Sequence, residues 1–112
     1  RKKLRKKIEM IDISDLRTHY EQGRVVITIH AQERLRQRKI KTKDVKSCIM
    51  TGEIIEQYPD DFPFPSCLIL GDSVEGKPLH VVMSDNGTES RIITAYFPDH
   101  SKFESDYRHR KE

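Results

Sequence analysis

A chain of 112 residues has room for one hydrophobic core, and no run in it approaches the roughly 18 apolar residues of a membrane-spanning helix. Ile8 to Ile13 is too short, and too interrupted by Glu9 and Asp12, to be a signal-peptide core, so the expectation is a soluble, cytoplasmic protein with no membrane partner. Two cysteines, Cys48 and Cys67, stand too far apart for a zinc or iron–sulfur pattern and read as buried free thiols.

Residues 2–21 carry Leu4, Ile8, Ile11 and Leu16 at helical spacing on a charged background, with Ser14-Asp15 as an interruption and Gly23 as the stop. Val25 to Ile29 is β-branched throughout and reads as a strand, with His30 at its end. AQERLRQR follows as a helix, and Lys39-Ile40-Lys41 breaks it. Thr42 is the expected cap of a further helix whose stripe is Val45, Cys48 and Ile49, and Gly52 is its expected C-terminal stop.

From Gly52 onward the period becomes extended. Ile54-Ile55 with Tyr58 predicts a strand, and PDDFPFP predicts a loop. Cys67 to Leu70, Leu79 to Met83 and Arg91 to Phe97 predict three more strands, with turns at Glu75-Gly76 and at Asn86-Gly87, where positive φ is tolerated at both central sites. Phe103 to Arg110 is expected to form a short helix. The sum is an α+β fold: an antiparallel sheet of about four or five strands with helices packed on one face. Residues 1–24 read as a basic helical extension and 25–112 as the single domain.

The net charge of +3, from 21 basic and 18 acidic residues, hides a segregation. Residues 1–7 read RKKLRKK, residues 24–46 hold a second basic cluster, and residues 53–75 are acidic without a single lysine or arginine. Two basic clusters are a compositional hint of a polyanion partner, with ordinary solvated surface as the plainer account, and Lys2, Lys3, Arg5, Lys6 and Lys7 are the candidate RNA contacts of the first. In the second, His30, Arg34 and Arg38 recur every four residues and so share one helix face. Imidazole can carry a proton near neutral pH and guanidinium can fork onto phosphate. The plainer account is a solvent-facing basic stripe with His30 merely ending the strand.

His80 lies among valines in LHVVM, where a structural role is the ordinary one. Thr94 and Tyr96 share a face of the last strand; Arg91 has the opposite parity unless a bulge intervenes. Tyr96 could donate a proton or stack on a base. Neither a phosphate-binding glycine loop nor a zinc-protease, nucleophile-elbow or calcium-loop motif occurs, so no metal or cofactor is expected.

From Ile29 to about Tyr107 the chain resembles the family called domain of unknown function 4258. The residues that carry the likeness are His30, Glu33-Arg34 and Arg38; Thr42-Lys43-Asp44-Val45; Gly52-Glu53-Ile54-Ile55 with Tyr58; Leu70-Gly71; Gly76-Lys77-Pro78-Leu79-His80-Val81-Val82; and Ile93-Thr94-Ala95-Tyr96-Phe97-Pro98-Asp99. That family is similar in fold to RelE- and BrnT-like toxins, small ribonucleases neutralised by an antitoxin protein. The resemblance implies a RelE-like sheet and singles out His30, Arg34, Arg38, His80, Thr94 and Tyr96.

Two functions of different class follow as expectations. One is a metal-independent endoribonuclease in which the RNA 2′-hydroxyl attacks phosphorus, His30 or His80 carries protons, Arg34 and Arg38 hold phosphate, and Tyr96 positions or protonates. In that case His30, Arg34 and Tyr96 should meet at one end of the sheet. The other is a non-catalytic module that binds RNA or protein.

Overall fold

The computed structural model describes residues 10–99 and 101–111. Helix α1 spans Ile13–Glu21, strand β1 Val25–Ile27, helix α2 Ile29–Gln37 and helix α3 Thr42–Thr51. Strands β2 (Glu53–Tyr58), β3 (Ser66–Asp72), β4 (Pro78–Asp85) and β5 (Ser90–Tyr96) follow. β2 to β5 make the expected antiparallel meander. The sheet order is β1-β5-β4-β3-β2, and β1 pairs parallel to β5. The sheet is therefore mixed, not wholly antiparallel: a strand that enters from α1 and leaves directly into α2 takes the free outer edge of β5.

Local capping sets boundaries that side-chain period alone misplaces. Thr28 accepts a hydrogen bond from the Ala31 amide (3.0 Å) and caps α2, so the β-branched run is a strand only as far as Ile27. Ile29 and His30 sit in the first helical turn, exposed. Asp12, not Ser14, caps α1, because its carboxylate accepts from the Ser14 amide (2.9 Å). Lys41 is the N-cap of α3 and Thr42 its first helical residue. The Asp44 carboxylate turns back to the Lys41 amide (3.1 Å).

The DNG turn also differs in kind. Gly87 alone takes positive φ (+100°). Asn86 instead uses its side-chain oxygen to accept from the Thr88 and Glu89 amides, both at 2.9 Å. Residues 103–110 form no helix. The Asp106 carboxylate accepts from the Arg108 amide (2.9 Å), offering the backbone a local alternative to the helical ladder. A bridge between Phe103 and Arg110 closes the segment on itself. Of the helical stretch expected over residues 2–21, residues 2–9 lie outside the described residues.

The connection from α2 to α3 is a Schellman motif. The Ile40 amide donates to Leu35 O (2.9 Å) and the Lys39 amide to Arg36 O (3.1 Å). The motif needs a left-handed residue, and Lys39 occupies that place at φ 59°, where a Cβ costs about 1 kcal/mol. Lys39→Gly should therefore stabilise the fold by about 1 kcal/mol, raising the midpoint of thermal unfolding by roughly 4–8 °C. Circular-dichroism melting checks this.

The core lies between the helices and one face of the sheet. Leu35, Ile40, Val45, Cys48 and Ile49 meet Cys67, Ile69, Leu79, Val81, Met83, Ile92 and Ala95. α1, from the expected extension, adds Leu16 to this same core, and Ile11 ahead of it does likewise. Burial pushes both free thiols, Cys48 and Cys67, up to about 12. Buried His19 ties α1 to the β4–β5 hairpin, with Nδ1 2.9 Å from Ser90 Oγ and 3.2 Å from Asp85 Oδ1. No described helix is long and apolar enough to cross a membrane.

Candidate functional site

The opposite face of the sheet places the polar residues. Along β4, Val81 and Met83 point into the helical core, so His80, Val82 and Ser84 point away from it. Their partners on β5 are Tyr96, Thr94 and Arg91. Register shifts between Val82 and Met83, with Ile93 as the extra residue. That bulge brings Arg91 onto the same face as Thr94 and Tyr96, despite their parity in the sequence.

The C-terminal segment, residues 101–111, straps across this face. Phe103 is buried against the His80 ring, with centroids 4.6 Å apart. Arg110 grips Glu56 through two hydrogen bonds (2.8 and 3.0 Å), and Tyr58 donates to the same carboxylate. Arg108 pairs with Glu53. Solvent screens such exposed pairs, so Phe103 anchors the strap more firmly than its charges do.

His80 is fully buried beneath the strap, edge-on to Tyr96 with centroids at 5.4 Å. Its Nε2 lies 2.8 Å from Tyr107 O. A carbonyl only accepts, so Nε2 carries the proton and Nδ1 is a bare acceptor. Nδ1 is buried with no hydrogen-bond partner among the described residues. Burial lowers the His80 pKa, partly offset by the Tyr107 carbonyl and the Glu56 charge. The sign of the consequence is definite. Below about pH 6.5 the unfolded chain takes a proton that folded His80 resists, so stability should fall as the pH drops through that value. Melting curves at pH 7.5 and 5.5 should show this loss, and His80→Gln should reduce the difference.

A cleft of about 400 Å³ opens beside this residue, lined by Arg38, Tyr96, Asp99, Lys102, Phe103 and Arg110. Arg38 is the cap residue that ends α2. Its Nη1 donates to Thr94 Oγ1 (3.0 Å) and Ala95 O (2.9 Å). Those two bonds use two of five guanidinium N–H donors, and the others have no partner among the described residues. Burial raises the pKa of Tyr96, so its hydroxyl stays protonated at neutral pH and acts as a donor. Arg38 and Lys102, beside the Glu56-paired Arg110 and a phenolic donor, leave the cleft with more positive charge than Asp99 offsets.

The α2 stripe thus divides. Arg38 reaches Tyr96. His30 stands two turns earlier, about 12 Å along the helix, exposed and without a hydrogen bond among the described residues. Arg34 lies between them, half-buried, its side chain likewise without a hydrogen bond among the described residues. Lys2, Lys3, Arg5, Lys6 and Lys7 lie outside the described residues. Lys102 and Arg110 had no sequence signal beyond their charge, because residues 103–110 read as a helix remote from β5.

A mixed five-stranded sheet, with helices on one face and a strapped basic cleft on the other, defines a small α+β domain. Residues 27–97, more than half of the chain, match the family model described as domain of unknown function (DUF4258), and the chain belongs to that family. The match includes Arg38 and Tyr96 and stops short of Lys102 and Arg110. No curated protein and no solved structure matches the chain.

Proposed function

We propose that this domain binds RNA by its phosphate backbone, in the cleft formed by Arg38, Tyr96, Lys102 and Arg110. The supporting observation is that Arg38, Lys102 and the Glu56-paired Arg110 line one cleft together with a protonated Tyr96 hydroxyl. Arginine matches phosphate with parallel N–H donors, and a neutral phenol adds a donor without opposing charge. Half-buried Arg34 and the basic residues Lys2 to Lys7 add long-range attraction.

The second reading is a RelE-like, metal-independent endoribonuclease of toxin type, held in check by an antitoxin protein over this face. The unprotonated Nδ1 of His80, behind the Tyr96 ring, favours it. A 2′-hydroxyl would reach that nitrogen only after the strap lifted. His30 is the exposed alternative as proton carrier.

Labelled RNA titrated against the protein, with chelator present, tests both. Binding should weaken by a factor of roughly 10³ or more between about 50 and 200 mM salt if six or more phosphates are held, and proportionally less for fewer. Affinity independent of salt would overturn the RNA proposal. Intact RNA after prolonged incubation supports the binding module. Cleavage to a 2′,3′-cyclic phosphate, lost in His80→Gln or His30→Ala, would establish the enzyme instead.

A further inference from the structure

A second basic cleft adjoins the first. It encloses about 250 Å³ and is lined by Lys39, Lys41, Lys43, Lys77, Phe97 and the same Arg38, with Asp44 and Glu75 at its acidic side. Asp44 is already engaged, by the Lys41 and Val74 amides. The lysines come from the α2–α3 connection, the start of α3 and the approach to β4, so three separate elements bring positive charge to one place. One of them, Lys39, is kept at a left-handed backbone position that glycine would occupy with less strain.

The end of β5 separates the two clefts. Tyr96 faces the strapped side, and the next residue, Phe97, leaves the strand into the lysine-lined cleft. Phe97 is 41% exposed and stands beside four lysines. Lys77 Nζ lies 6.0 Å from its centroid. Arg38 lines both clefts and, among the described residues, spends one of its side-chain nitrogens on hydrogen bonds.

We infer that the two clefts form one track for single-stranded RNA, with backbone phosphates in each, Arg38 at the join and one base stacked on Phe97. This rests on the RNA-binding proposal and adds strand selectivity to it. A path that turns around a strand end suits a flexible single strand. A duplex is stiff over so short a path and would have to bend sharply to follow it. Aromatic stacking likewise needs an unpaired base and is tolerant of which base it is.

The test measures fluorescence anisotropy of a labelled ten-nucleotide RNA and of the same sequence as a duplex. Wild type is expected to prefer the single strand. Lys43→Glu with Lys77→Glu should weaken single-strand binding about tenfold or more and lower the salt slope by about two. Phe97→Leu, which keeps apolar bulk without a stacking face, should weaken the single strand roughly tenfold and leave the duplex unchanged. Melting curves confirm that each variant is folded. If Lys102→Glu abolishes binding while the Lys43/Lys77 and Phe97 variants bind as wild type does, the first cleft stands and the track is overturned. Equal affinity for single strand and duplex also overturns the track. If wild type binds neither RNA, both proposals fall together.

Discussion

Gly71→Ala is expected to destabilise the protein by about 3 kcal/mol or more, lowering the midpoint of thermal unfolding by roughly 12 °C or more. A Cβ at Gly71 would stand 2.2 Å from the carbonyl oxygen of Cys48 and 2.9 Å from its carbonyl carbon and Cα. Each of these atoms is helix backbone, so no rotamer change relieves the clash; α3 must move off the sheet. Gly52 repeats the constraint, its Cβ falling 2.3 Å from Leu70 O and 2.6 Å from Cys48 O. Gly52 was expected as a left-handed helix stop, but its φ is −100°. Its role is close approach between helix and sheet. Gly76→Ala is the control, because that glycine has positive φ (+85°) and open space around it. It should cost only about 1 kcal/mol. Urea or thermal unfolding of the two variants separates steric exclusion from backbone preference, and equal losses would show that the α3–β3 approach is not tight.

Arg38→Ala is expected to weaken RNA binding about 30-fold or more, the scale of a lost charge-assisted hydrogen bond of about 2 kcal/mol. Arg38 borders both clefts, so one substitution removes a phosphate contact from each and should lower the salt slope by one to two. Arg38→Lys keeps the charge but loses the fork and should fall between the two. The side chain also joins the end of α2 to Thr94 and Ala95, so melting curves must accompany the binding curves. Affinity unchanged in Arg38→Ala, with wild type bound, would remove Arg38 from the interface and the join from the proposed track.

Much of the order of elements is legible along the chain because period and turn chemistry are local properties. The shift from helical to alternating apolar spacing at Gly52, the proline-rich break at residues 59–65 and the four strands of the meander follow from neighbours a few residues apart. Capping is also local but subtler. Thr28 competes with the strand preference of Val25 to Ile29, and the Ala31 amide it satisfies decides the outcome. Charge segregation pointed to α2 as a basic helix, and its last arginine does line the cleft.

What the tertiary structure alone decided is which of those basic residues come together, and beside what. A stripe repeating every four residues cannot say which of its members faces a strand end 56 residues later, and the fold pairs Arg38, not His30, with the end of β5. The Ile93 bulge changes which β5 side chains share a face, and it arises from pairing with β4. The strap over His80 depends on Phe103 finding a half-covered sheet face and on Arg108 and Arg110 meeting Glu53 and Glu56. These contacts form between residues far apart in sequence, where the free energy comes from burial and charge in three dimensions and leaves no periodic trace in the chain.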